Sequence, residues 1–120
     1  MSILIVEDES DIREFMRACL ELKGYDVITA ANGFDGLQRY EENKDQVRVV
    51  VTDLDMPRMN GDDMIHEIFK QTPAMKVIVA SGRGMRDPYA KESCFLASRL
   101  QKPFSSRELA AAVNTVLSVS

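Results

Sequence analysis

Short apolar runs alternate along this chain with stretches of helical spacing. Ser2–Val6, Tyr25–Ala30, Val47–Thr52 and Lys76–Ala80 are rich in Val and Ile with little polar alternation, which predicts strands covered on both faces. A shorter, more polar run over Ser98–Gln101 predicts a fifth strand. Between the runs, Ile12, Phe15, Met16, Cys19 and Leu22 recur at helical spacing, and residues 35–42 form a polar segment carrying Leu37 and Tyr40. Met64, Ile65, Ile68 and Phe69 mark a third helix. Tyr89, Ser93, Phe95 and Leu96 mark a weaker fourth, opened by Asp87-Pro88, and Leu109, Ala112, Val113, Val116 and Leu117 a fifth. The punctuation agrees. Ser10 or Asp11 can cap the first helix and Gly24 can end it. Thr72-Pro73 ends the third, and Ser105 with Glu108 forms a capping box for the last.

Five strands alternating with five helices predict an α/β fold, with right-handed crossovers, a parallel sheet and helices on both faces. A chain of 120 residues is one domain, residues 1–120, and can bury a core without staples. The net charge of −4 argues against non-specific nucleic-acid binding, which needs a basic patch. Cys19 and Cys94 lack metal-ligand spacing and read as reduced thiols. The apolar start is too short for a signal peptide and lacks a basic flank, and no run reaches membrane-spanning length, so a cytoplasmic protein is expected. Met1 directly before the first strand favours the expectation of a natural start and a stand-alone domain, with a piece excised from a larger protein as the alternative. His66, alone on a helix, is assigned no role.

The candidate chemistry lies where the strands end. The run through Val49-Val50-Val51 stops at Asp53. In a parallel sheet all carboxyl ends emerge at one edge, where open α/β sheets bind ligands. That edge would carry Glu7 and Asp8, Asp53, Ser81 and Lys102, each pair or single residue from a different strand. Converging carboxylates resist ionisation, and a hard divalent cation relieves them. Mg2+ takes oxygen ligands and commonly shares its site with a phosphate group. Asp53 is the nucleophile candidate, because Asp carboxylates form aspartyl-phosphates. Lys102 and Ser81 supply a compact charge and a hydroxyl for phosphoryl oxygens. Singly, each feature has an ordinary reading: a helix N-terminal charge cluster, a turn residue, a turn. Their conjunction on four strand ends is what points to phosphoryl transfer.

Ile5-Val6-Glu7-Asp8-Glu9, the stretch from Thr52-Asp53 through Asn60-Gly61, Val79-Ala80-Ser81-Gly82 and Lys102-Pro103-Phe104 together resemble the receiver domain of two-component response regulators, of the single-domain, chemotaxis-regulator-like kind. The resemblance runs from Ile3 to the end of the last helix. It implies a flavodoxin-like, doubly wound sheet of order 2-1-3-4-5. It implies that Asp53 accepts a phosphoryl group from a histidine kinase or histidine phosphotransferase. Asp8, Asp53 and the backbone carbonyl of Asp55 would bind Mg2+ directly, with Glu7 acting through a water. Lys102 and Ser81 would meet the phosphoryl oxygens, and the Lys102–Pro103 peptide would be cis.

By the same resemblance the chain is a regulatory phospho-acceptor, not an enzyme, that assists its own phosphorylation and dephosphorylation. Phosphorylation would shift the loop after the fourth strand, and the face made by the helix from Asp87, strand 98–101 and the last helix. A downstream protein partner would read that face. Nucleic-acid contact and membrane insertion are not expected, and the protein would be a monomer or weak dimer. Four positions depart from the family pattern: Ser81 stands where Thr is more frequent, Arg99 where an aromatic switch residue is usual, and Phe95-Leu96 where Gly-Ala is common. The partner face should therefore be read differently. Asp55 and Arg83 flank the site and are expected to pair across its mouth. Arg13 and Arg17 lie on the polar side of the first helix, as partner contacts or as a solvated face. Two alternatives are a pseudo-receiver acting without phosphorylation and a Mg2+-dependent aspartyl phosphatase of haloacid dehalogenase type. The Asp-x-Asp element of the latter resembles Asp53-Leu54-Asp55, but it belongs on a first strand.

Overall fold

Strands form where Val and Ile run without polar interruption, and the sheet they build is closed on both faces. The computed structural model describes residues 1–53, 61–81 and 96–118, and of residues 61, 62, 81 and 96–99 the backbone only. In chain order it comprises β1 (Ser2–Val6), α1 (Ser10–Leu22), β2 (Asp26–Ala30), α2 (Gly33–Glu42), β3 (Val47–Asp53), α3 (Gly61–Gln71), β4 (Lys76–Ser81), β5 (Leu96–Gln101) and α4 (Ser106–Ser118). The sheet is wholly parallel in the order β2-β1-β3-β4-β5, the doubly wound arrangement expected. Four helices lie among the described residues; the helix expected from Asp87-Pro88 falls outside them. No helix among the described residues is long and apolar enough to cross a membrane.

Successive strand residues face opposite ways, so each run feeds two cores. Leu4, Val6, Val50, Val77 and Val79 pack toward Tyr40 of α2 and Met64, Ile65 and Ile68 of α3. Ile3, Ile5, Val49, Val51 and Ile78 pack toward Met16 and Leu20 of α1 and Leu109, Val113 and Val116 of α4. The buried Tyr40 hydroxyl hydrogen-bonds the Thr72 hydroxyl, satisfying a polar group within the first core and tying α2 to the end of α3.

Local details differ from the sequence reading. β5 begins at Leu96, two residues earlier than its composition suggests, because pairing with Val77 extends it and a register irregularity follows. On α1 the buried positions are Met16 and Leu20, with Ile12 and Cys19 packed beside them; Phe15 and Leu22 are 43% and 86% exposed. A stripe one residue pair wide is all that α4 and the sheet cover. The N-cap of α1 is Glu9, not Ser10 or Asp11, and it makes no side-chain capping bond. α2 starts at Gly33 because Asn32 accepts from the Asp35 amide while Asp35 accepts from the Ala31 amide. The Ser105–Glu108 capping box is present, each side chain accepting from the other's backbone N–H. Gly24 adopts φ 91°, the left-handed conformation that ends α1.

Gly36 marks where α2 crosses closest to the sheet. A Cβ there would stand 2.6 Å from Met64 Sδ and 2.9 Å from Val6 Cγ2. Gly36→Ala is therefore expected to lower stability by about 1–3 kcal/mol despite alanine's better helix propensity. Urea unfolding of the two proteins measures the difference.

Candidate functional site

The ends of β1 and β3 lie side by side, since Val6 pairs with Thr52. The next residues, Glu7 and Asp53, therefore emerge together at the carboxyl edge, both buried, at 0% and 6% exposure. Asp8 follows on the solvent side, and one ligand oxygen from each of Glu7, Asp8 and Asp53 lies within 4.8 Å of the others. The Thr52 hydroxyl donates to the Asp53 carbonyl at 2.9 Å. On α1, the Arg13 guanidinium donates to the Glu7 carbonyl at 2.8 Å. Sequence spacing did not single out either of these backbone grips, because a side chain bonding a neighbouring carbonyl leaves no periodic signal.

Lys102 enters from beyond the end of β5. Its Nζ donates to Glu7 Oε1 at 2.9 Å and to Asp53 Oδ2 at 3.0 Å, so one ammonium bridges both carboxylates. The second Glu7 oxygen accepts from the Glu9 amide at 3.3 Å. The Lys102–Pro103 peptide is cis, as expected. Ser81 ends β4 one residue past Ala80, the pairing partner of Asp53, so its backbone reaches the same edge. Asp55 and Arg83, and with them the expected pair across the mouth, lie outside the described residues. Arg99 lies within β5 opposite Val79. Arg17 is committed to Glu14 and Glu21 on its own helix, an ordinary exposed ion-pair ladder.

The electrostatics are those of a buried acidic pocket. Burial pushes the Glu7 carboxyl up to about 7 from an ordinary 4.5; the neighbouring Asp53 charge adds to this, and the hydrogen bond and charge of Lys102 oppose it. Burial also works against the Lys102 ammonium, but its bonds to Glu7 and Asp53 and their charges outweigh that, and its pKa is raised. Among the described residues one lysine faces these two carboxylates. Three hard oxygen donors around an excess of negative charge suit a divalent cation of the Mg2+ or Ca2+ kind.

The family model of the response regulator receiver domain matches residues 3–114. The chain belongs to that family. It is 33% identical to the chemotaxis protein CheY of Thermotoga maritima, covering 95% of each chain. It is also 36% identical to the sensor kinase CckA of Brucella abortus over 97% of this chain but 12% of that protein. Among solved structures, a response regulator receiver domain protein from Clostridium thermocellum superposes with a TM-score of 0.87 at 36% identity, covering 97% of this chain and 93% of that one. The chain spans about half or less of the length of the first curated relatives it matches, 12% of the kinase and 49% of a CpxR homologue from Haemophilus influenzae. Receiver domains are regulatory modules of two-component signalling, so this chain is a signal-transduction module with an acidic cluster at its sheet edge.

The receiver's buried Glu7 carries a pH signature. An unfolded Glu7 titrates near 4.5 and the folded one near 7, so between those values the native state holds the extra proton. Stability from this group is therefore full below about pH 4.5 and lost as pH rises through about 7. In chelator-containing buffer, Glu7→Gln is expected to exceed the wild type in melting temperature at pH 8 and to lose that advantage by pH 5. Thermal scans across this range measure it.

Proposed function

We propose that Asp53 is the phosphoryl acceptor of this receiver and that Lys102, Ser81, Glu7 and Asp8 complete its machinery. The observation that carries the reading is the Lys102 bridge, which puts a cation on Asp53 Oδ2 beside the Glu7–Asp8 pair. Asp8 and Asp53 would hold Mg2+ directly, with Glu7 acting through a water, and Asp55 would offer its backbone carbonyl. Bound Mg2+ supplies positive charge against the phosphoryl oxygens. An Asp53 oxygen forms the new bond to phosphorus as the bond to the donor's imidazole nitrogen breaks, and the imidazole leaves with that electron pair. The donor is a histidine kinase or a histidine phosphotransferase. Lys102 has three N–H groups and uses two on the described residues, so it can meet a phosphoryl oxygen without leaving Asp53. The Ser81 hydroxyl would accompany it.

Phosphorylation would shift a two-state equilibrium in the segment after β4 and in the face built with β5 and α4, where a downstream protein binds. The receiver would act as a monomer or weak dimer and would assist its own dephosphorylation. A cytoplasmic setting suits Cys19, which is a free thiol. The donor protein would dock along α1. A cleft of about 380 Å³ lined by Ile12, Phe15, Pro103 and Phe104 reaches Lys102, and Phe15 also lines a groove of about 860 Å³ between α1 and α4.

Beryllofluoride with Mg2+ is expected to shift the amide resonances of β3, β4 and Lys102 in the wild type and to leave Asp53→Asn unmoved. With a small acyl phosphate donor, the wild type should take up one phosphoryl group, Asp53→Asn none, and Lys102→Ala should react at least about tenfold more slowly. A wild type that neither responds nor is labelled would instead favour a pseudo-receiver.

A further inference from the structure

The turn that carries the acidic pair is fastened differently from the starts of α2 and α4, with Glu7 Oε2 accepting from the Glu9 amide at 3.3 Å. α2 opens on the reciprocal Asn32–Asp35 bonds and α4 on the Ser105–Glu108 box. The N-cap of α1, Glu9, makes no side-chain capping bond, although Glu7 and Asp8 immediately precede it. Arg13 adds a bond of its own to this turn. Its backbone N–H makes the first helical bond, to the Glu9 carbonyl at 2.9 Å, as Gly36 and Leu109 do in α2 and α4, but its guanidinium also reaches back across Asp8 to the Glu7 carbonyl at 2.8 Å. Arg13 is half-buried, and among the described residues it pairs with no carboxylate, whereas Arg17 pairs with two. Its bond to a neutral carbonyl, amid Glu7, Asp8, Glu9 and Glu14, places it as a backbone clamp.

We propose that Arg13 is a positioning residue for the cation site, acting through the Glu7 carbonyl to hold Glu7 and Asp8 at the spacing a divalent ion needs. The inference rests on the reading of Glu7, Asp8 and Asp53 as that site. Position and charge have opposite signs here. As a clamp, Arg13 strengthens cation binding by removing the freedom of the turn. As a bare positive charge, it would weaken binding by repulsion. Outer partners that orient ligands are worth tenfold or more in metal affinity when lost.

The test is a calorimetric titration of Mg2+ into the full chain as wild type, Arg13→Met and Arg13→Lys. Methionine keeps the apolar stem and is a good helix former, so α1 should persist. Arg13→Met is expected to raise the Mg2+ Kd by roughly tenfold, and Arg13→Lys, which retains one donor and the charge, to recover part of the loss. Melting temperatures in chelator should differ little between the three, and labelling by a small acyl phosphate donor should be slowed in Arg13→Met at low Mg2+ yet recover at saturation. Unchanged or tighter Mg2+ binding by Arg13→Met would overturn the proposal while leaving the cation site intact. A wild type that binds no Mg2+ would overturn the site reading and the proposal together.

Discussion

Two carboxylates on neighbouring strands share one half-buried lysine, and much of the receiver's architecture exists to make that possible. Glu7 and Asp53 emerge side by side because β1 and β3 are paired in register through Val6 and Thr52. Their burial side by side is unfavourable, since each charge resists the other and both resist desolvation. Lys102 comes from the far side of β4, at the end of β5, and the length of its side chain spans the gap. The arrangement requires that β5 hold its register against β4, because a displaced β5 would carry the ammonium out of reach. The polar composition of β5 is tolerable there because β5 stands at the sheet edge and its pairing with β4 supplies the order.

The two cores supply the rigidity on which this edge depends. Each strand residue faces one of two helix pairs, so a strand cannot slip by one position without exchanging every buried side chain between cores. That constraint fixes the strand ends along their axes. Gly36 and the Tyr40–Thr72 pair then set the distance of α2 from the sheet and from α3. The result is a stiff platform under a cluster of acids. Burial, with the neighbouring Asp53 charge adding to it, raises the Glu7 carboxyl, while Lys102 opposes the shift.

How much of this was legible in the sequence follows from the kind of signal each feature leaves. Strands β1, β3 and β4 were legible because burial on both faces demands uninterrupted Val and Ile. The gathering of Glu7, Asp8, Asp53, Ser81 and Lys102 at one edge followed from parallel topology alone. Caps were legible where two residues at fixed spacing answer each other, as with Ser105 and Glu108. The true face of α1 was not. Phe15 and Leu22 share the helical spacing of Met16 and Leu20, and only the narrow approach of α4 and the sheet decides which are covered. The early start of β5 was hidden because backbone pairing, not side-chain polarity, sets it. The Lys102 bridge was partly hidden too: spacing brings the lysine to the edge but does not say that one Nζ serves two acids.

The exposed apolar residues of α1 separate two tasks within one helix. Met16 and Leu20 belong to the core and keep α1 on the sheet, while Phe15 and Leu22 lie outside the buried cluster, at 43% and 86% exposure. Phe15 lines both the small cleft beside Lys102 and the groove toward α4. Because β1 and β3 carry Glu7 and Asp53 at their ends and Lys102 follows β5, the carboxylate cluster is built from beneath, and residues on this outer surface of α1 can vary without disturbing it.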